Sequence, residues 1–541
     1  MNHEETVTAI KEGRTSLGIE FGSTRIKAIL IDEQFQPIAQ GTFEWESSLQ
    51  QGMWTYNLID IITGLQVAYR HMKEQAELMY GVTIRTIGSI GVSAMMHGYV
   101  ACDHTGELLV PFRTWRNATT IEASQQLTDL FKFHIPERWS IAHLYQAILG
   151  GEKHLARLEY VTTLSGYIHW LLTGKQAVGI GDASGMFPID EKTKDYNDVM
   201  LNQFDELIAE KGYPWKLRHL LPRVYLAGEE AGVLTAVGAA ILDQGKHLKS
   251  GIPFCPPEGD AGTGMVATNS VKRRTGNISV GTSVFAMIVL EHPLTGVYPE
   301  VDIVTTPDGL PVAMVHANNC TSDLNAWMMI FKEAFEAMGQ PVETERLYEA
   351  LLHQALEADR DGGGLLSYGY YSGENITRLQ EGRPLFVRSA ESRFNLANFM
   401  RTHLFSAFGA MKIGMDRLKE NEHVVIDRLL GHGGLFKTPL VGQKMVAAAL
   451  DTSVSVVSTA GEGGAFGMAV LASYMMSDQQ QSLAHFLTQQ VFASTSEELV
   501  EPDPLDVRGF EVFLKRYQEG LMIERAAVKH LTPKKGVMPV C

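Results

Sequence analysis

Gly18–Asp32, GIEFGSTRIKAILID, returns half a chain later as Gly276–Glu291, GNISVGTSVFAMIVLE. Each copy is an apolar run, a small glycine-hydroxyl turn and a second apolar run. Aligned, Ile19-Glu20-Phe21-Gly22-Ser23-Thr24 meets Ile278-Ser279-Val280-Gly281-Thr282-Ser283. A single hairpin with a small turn is common and says little. Two, each opening a run of strands and helices, predict an α/β chain of two related lobes, each a mixed sheet flanked by helices, with a cleft between them. A tight Gly-hydroxyl turn presents backbone N–H groups and two hydroxyls in one direction, which suits an anion. Two such turns facing each other across a cleft could hold a polyphosphate from both sides, and closure would exclude water as a competing acceptor.

Outward from the first turn, residues 16–45 read as three strands, residues 56–79 as a helix with apolar residues at three- and four-residue intervals, and 87–94 as a buried strand. Residues 120–230 are mainly helical, with a loop at VGIGDASGMFPID. After the Pro/Gly-rich Lys249–Gly264 the strand pattern restarts. Helices follow at 321–338, 343–358 and 391–420, then a strand into a glycine turn, the helix TPLVGQKMVAAAL, the strand SVSVVS, the turn TAGEGGAF and a further helix. The expected division is an N-terminal lobe over 1–252, a C-terminal lobe over 253–500 containing Asp260, and a helix and tail over 501–541 that packs back on the lobes.

At 541 residues the chain exceeds the roughly 250–300 residues that one core serves, in keeping with two domains. A net charge of −16 with no Lys/Arg block argues against nucleic acid or an acidic membrane as partner. It does not argue against an anionic small molecule, because backbone N–H groups bind phosphate without side-chain charge. The polar MNHEETVTAIKEGRTS lacks the apolar core of a secretory signal, and no apolar run approaches the roughly 18 residues of a membrane helix. Cys102, Cys255, Cys320 and Cys541 are scattered without CxxC spacing, so neither a disulfide framework nor a zinc site is expected, and a cytoplasmic location fits.

These segments resemble the FGGY carbohydrate kinase family, most closely the xylulokinases, from about residue 16 to about residue 525. The resemblance implies a ribonuclease-H-like, actin/hexokinase-type pair of lobes and phosphoryl transfer from ATP, with Mg2+, to a sugar hydroxyl. EFGST and SVGTS then become phosphate loops, bringing forward Gly22, Ser23, Thr24, Gly281, Thr282 and Ser283. Lys27, three residues past Thr24, is long enough to reach phosphate as a mobile charge. GHGGLFKTP and AGEGGAFG fall in the nucleotide region, through Gly433, Gly434, Gly461, Gly463 and Gly464.

Asp260, in the glycine-flanked loop PPEGDAGTG, matches the family's base; a structural aspartate capping the next helix is the plainer reading. Glu20 stands where the family usually has a metal-side aspartate. Met96, His97 and Gly98 match a sugar-lining Met-His-Gly segment, and Trp115 and Asn117 a Trp-x-Asp sequence whose aspartate is here an amide. Asp182 and Ser184 are expected to cap structure and shape the pocket's far wall; Glu374 is expected either to order the cleft or to be a solvated loop acid.

Other departures are Ala261 after the aspartate, which is closer to ribulokinases, and the missing glutamate after Trp54. They leave the ketopentose open between D-xylulose and L-ribulose, each going to its 5-phosphate in pentose catabolism. Alternatives are a kinase of another sugar or polyol in the same family, or a non-catalytic nucleotide switch of the actin or chaperone type. The expected partner is a small-molecule sugar; a homodimer is left open.

Overall fold

The structure is a computed structural model that describes residues 2–456, 463–477, 481–495 and 497–531. Its first sheet is an antiparallel meander, β1 (Ser16–Phe21), β2 (Arg25–Ile31) and β3 (Pro37–Glu44), extended by parallel strands β4 (Ser89–Ala94) and β5 (Glu258–Gly259). The order is β5-β4-β1-β2-β3. β4 is buried at every position and β1 at all but Glu20, as expected of strands covered on both faces.

Glycines let two helices lie directly on this sheet. A Cβ on Gly41 would stand 2.1 Å from the carbonyl of Ala68, in the helix Leu58–Tyr80. A Cβ on Gly18 would stand 2.0 Å from the carbonyl of Ala465, in the helix Gly463–Met475. The 58–80 helix starts where the Asn57 side chain accepts from the Ile59 N–H, and stops at left-handed Gly81. Its buried Leu65, Ala68, Tyr69, Met72 and Ala76 join Ile19, Phe21, Ile26 and Leu30 of the sheet in one core. Each large apolar side chain so buried contributes roughly 1.5–3 kcal/mol.

The second sheet repeats the scheme. β6 (Thr275–Val280) and β7 (Val284–Val289) form the antiparallel hairpin, and β8 (Pro311–Ala317) lies beyond β7. On the other edge β9 (Arg428–Gly433) and β10 (Ser453–Val456) are parallel, followed by antiparallel β11 (Glu498–Val500). The run β8-β7-β6-β9-β10 is the order β3-β2-β1-β4-β5 over again.

The chain forms two compact units, and the boundary is not the expected one. The first comprises Met1–Arg273, Val289–Val312 and Glu462–Thr495; the second comprises Arg274–Ile288, Ala313–Gly461 and Ser496–Cys541. The expected border at 252/253 thus lies inside the first unit. There Phe254 bridges Ile90, the Cys255 N–H donates to the Ile90 carbonyl, and β5 pairs with β4. A Pro/Gly-rich stretch marks a change of direction, and here the chain turns back into the same sheet. Asp260 accordingly belongs to the first unit, where it opens the helix Asp260–Ala267 instead of lying in a loop. The expected C-terminal helix is Pro504–His530, in the second unit, with Phe510 and Phe513 packed on Phe405. A helix that the sequence reading passed over, His3–Glu12, is started by an Asn2/Glu5 capping box.

Among the described residues no helix is long and apolar enough to cross a membrane. Cys102, Cys255 and Cys320 are buried free thiols.

Candidate active site

Strand register in the first unit sets Lys27, Glu20, Ser93 and Glu258 side by side on β2, β1, β4 and β5. Asp260 follows two residues after the last of them. Its Oδ1 accepts from the Met96 N–H at 3.0 Å, which ties the Met-His-Gly segment to the carboxylate. Burial raises the Asp260 pKa, opposed by the Met96 N–H and by backbone N–H groups at the start of its own helix.

Glu20 is raised to about 7, first by burial and then by the charge of Asp260, against the Ala465 N–H, Lys27 and Arg25. Its Oε2 accepts that N–H at 3.1 Å, so the carboxylate caps the helix Gly463–Met475. A Cβ on Gly464 would lie 2.3 Å from Glu20 Oε1. Gly463, at φ +74, begins the same turn.

Two further buried acids complete the cluster. The Glu258 carboxylate accepts from the N–H groups of Gly181 (3.2 Å) and Asp182 (2.9 Å) and is raised to about 8 by burial and by Asp182. Asp182 Oδ2 accepts from the hydroxyls of Thr163 and Ser165, while its buried Oδ1 has no hydrogen-bond partner among the described residues. Burial raises Asp182 to about 7 against those hydroxyls, with Asp260 adding to the rise. Glu258 was missed in the sequence, where it is one acid in PPEGD with no spacing to mark it.

His97 is buried and left-handed at φ +71; its Nδ1–H donates to the Gly185 carbonyl at 3.3 Å. Burial, helped by Arg138, lowers its pKa to about 3, so the ring is neutral and Nε2 is an acceptor. Met96 is buried beside it, close to Gly259 and Gly185. Gly98, at φ +90, is filled in by its own surroundings: a Cβ would meet the Arg113 carbonyl at 2.7 Å.

Asn117 is a clamp. Its Oδ1 accepts from the Trp54 N–H, and its Nδ2 donates to the carbonyls of Trp54 and Thr114. Both amide donors are therefore committed within the protein, against the expectation of a sugar-binding amide. Trp115 is 40% exposed beside it.

The first turn is held by aromatics. The Gly22 N–H donates to the Arg25 carbonyl at 3.0 Å, closing the hairpin. The Gly22 carbonyl accepts from Trp45 Nε1 (2.8 Å), the Ser23 carbonyl from the Tyr56 hydroxyl (2.6 Å) and the Thr24 carbonyl from the Trp45 N–H (3.1 Å). A cavity of about 440 Å³ lies against the turn, lined by Thr24, Arg25, Glu44, Trp45 and Glu46. Lys27 is buried on the row with Glu20.

In the second unit the turn Gly281-Thr282-Ser283 sits beside Gly433, because Val280 pairs with Gly433 across the parallel ladder. Gly433, at φ +103, could not carry a Cβ, which would stand 2.3 Å from the Val280 carbonyl. For Gly434 next to it, no described residue stands within 4 Å of where a Cβ would be. The Gly281 carbonyl accepts from the Thr321 N–H and hydroxyl, and the Thr282 carbonyl from the Cys320 N–H. Gly461 lies outside the described residues. Glu374, buried in this unit, accepts from the N–H groups of Asn318 and Asn319, which makes it a structural acid and not a solvated one.

Among the described residues no group of three or more His, Cys, Asp or Glu side chains is arranged to hold a metal by itself. Glu20, raised by burial and in part by the charge of Asp260, nevertheless suits a hard divalent cation, since Mg2+ is commonly held by one or two carboxylates together with substrate phosphates.

Residues 15–141 match the model of the N-terminal domain of the FGGY family of carbohydrate kinases, and residues 276–476 that of its C-terminal domain. The chain belongs to the FGGY family. It is 20% identical to the xylulose kinase of Haemophilus influenzae over 423 residues, 75% of this chain and 80% of that one. With the Escherichia coli xylulose kinase it shares 23% identity over 278 residues, spanning about half of each protein (49% and 52%). The xylulose kinase structure from Rhodospirillum rubrum superposes with a TM-score of 0.75 at 17% identity, covering 96% of this chain and 99% of that one. The fold is thus the two-lobed α/β fold of FGGY kinases, and this FGGY protein is a sugar kinase.

Proposed function

We propose that the protein transfers the γ-phosphoryl group of ATP to the terminal hydroxyl of a ketopentose, D-xylulose or L-ribulose, giving the 5-phosphate in the cytoplasm. The observation that carries this reading is the hydrogen bond from the Met96 N–H to Asp260 Oδ1, which joins the segment expected to line the sugar to the acid expected to activate it.

Asp260 takes the proton of the attacking hydroxyl as the oxygen–phosphorus bond forms. Its raised pKa makes it a stronger base than a free aspartate, and the Met96 N–H fixes its direction. His97 Nε2 accepts a sugar hydroxyl, and Met96 supplies an apolar wall. The turn at Gly22–Thr24 and Lys27 hold phosphate oxygens on the first unit, and Gly281–Ser283 with Gly433 and Gly434 do so on the second. Glu20 would hold Mg2+, which when bound spreads the charge of the phosphates.

An ADP-release assay with ATP and magnesium over ketoses, polyols and aldoses tests this. Turnover with D-xylulose or L-ribulose is the expected result. Activity confined to glycerol or an aldonic acid would overturn the ketopentose assignment.

A further inference from the structure

Trp45 and Tyr56 have no part in the chemistry just described, yet together they take three successive carbonyls of the first turn. The two rings are buried and stacked at 4.1 Å, with Phe21 against the edge of Trp45 and Phe112 beyond Tyr56. Such a pair is a rigid anchor. In a planar trans peptide the carbonyl of one residue and the N–H of the next point in opposite directions, and the described residues contain no cis bond. Drawing the Gly22 carbonyl to the Trp45 indole therefore turns the Ser23 N–H the other way. Drawing the Ser23 carbonyl to the Tyr56 hydroxyl does the same for the Thr24 N–H.

An unrestrained Gly-Ser-Thr turn can flip the peptide after Gly22 at lower cost, since glycine has no Cβ to restrict its backbone. A carbonyl turned toward a phosphate would then replace a donor with a repelling dipole. We infer that Trp45 and Tyr56 are positioning residues that hold the peptides of the first turn with their N–H groups toward a polyphosphate. The inference rests on the kinase reading for the identity of that anion. Preorganisation of this kind acts on nucleotide binding and phosphoryl transfer, and leaves sugar recognition at Met96 and His97 alone.

The test is Tyr56→Phe, which removes one oxygen and keeps the stacked ring, with Trp45→Phe as a second, independent variant. MgATP and MgADP affinity are read by calorimetry, KM for ATP and for sugar by steady-state kinetics, and stability by thermal melting. Tyr56→Phe is expected to weaken MgATP binding about five- to tenfold, with a matching rise in KM for ATP and a sugar KM within about twofold. Trp45→Phe is expected to move the same constants in the same direction. Unchanged nucleotide affinity with a lowered melting temperature would make the aromatics mere packing and overturn the inference. A rise in sugar KM equal to that for ATP would overturn it too. If the wild type binds MgATP but phosphorylates no sugar in the panel, the ketopentose reading fails, while the calorimetric comparison still decides the role of Tyr56. A wild type that binds no MgATP sinks both.

Discussion

The turn after β1 and the turn after β6 hold the same place in their sheets but differ in length and in the side chains beside them: Phe21 pairs with Ile26 across the first, Val280 with Val284 across the second. Both follow the strand at the centre of the same strand order, and both have their carbonyls drawn away, in one case by Trp45 and Tyr56 and in the other by Cys320 and Thr321. Where the first has Glu20 in register with Lys27 and Ser93, the second has Ser279 in register with Phe285 and His432. The four acids Glu20, Asp182, Glu258 and Asp260 all lie in the first unit. Duplication thus explains the repeated strand order and the place of the two turns, and divergence explains why the cluster of buried acids is confined to the first unit.

The sharpest way to break this asymmetry is Asp260→Asn. It is expected to lower kcat by about 10²–10⁴-fold while MgATP affinity, read by calorimetry, stays near the wild-type value. Because burial raises the Asp260 pKa, the acid limb of the wild-type kcat/KM profile should lie above the usual aspartate range. A variant with normal turnover would remove Asp260 from the mechanism.

A smaller effect is expected from paired glycine substitutions, one in each unit. Gly464→Ala puts a methyl group 2.3 Å from Glu20 Oε1 and 2.8 Å from Thr263 Oγ1, so denaturant melts should show a loss of about 1–3 kcal/mol. Gly434→Ala meets nothing within 4 Å among the described residues and should be close to neutral. Equal costs at the two sites would mean that the crowding around Glu20 is not peculiar to the first unit.

The subtlest difference is in pH dependence. Glu20 holds its proton up to about pH 7 in the folded protein, whereas a free glutamate releases it near 4.5. Between those values the folded state binds more protons than the unfolded state, so the contribution of Glu20 to stability is fully present below about 4.5 and is lost as pH rises through 7. The melting temperature of Glu20→Gln minus that of wild type should therefore climb across this window. A flat difference would place Glu20 in contact with solvent and out of the cluster.

What was legible in the sequence was whatever local pattern writes. The two hairpins, the 58–80 and 396–421 helices and the strand into Gly433 all carry apolar periodicity or glycine punctuation. What was not legible depends on partners far away in the chain. Asn117 reads as a pocket amide until its donors are found on Trp54 and Thr114. Glu258 has no local mark, because its meaning lies in the N–H groups of Gly181 and Asp182. Trp45 and Tyr56 look like ordinary core aromatics until the carbonyls they hold are traced. The 252/253 border failed for the same reason: composition records a turn but not the strand it returns to.

The helix Gly463–Met475 has a consequence for how the chain comes into being. It lies against β1 so closely that Gly18 can carry no side chain, yet more than four hundred residues separate the two. A nascent chain leaving the ribosome with its opening lobe already translated still lacks the cover for that strand. Until residue 475 has emerged, an apolar ribbon stays bare, and closure must wait on a contact of very high sequence separation. A fragment cut at residue 252 should therefore be a poor autonomous folder, prone to clump.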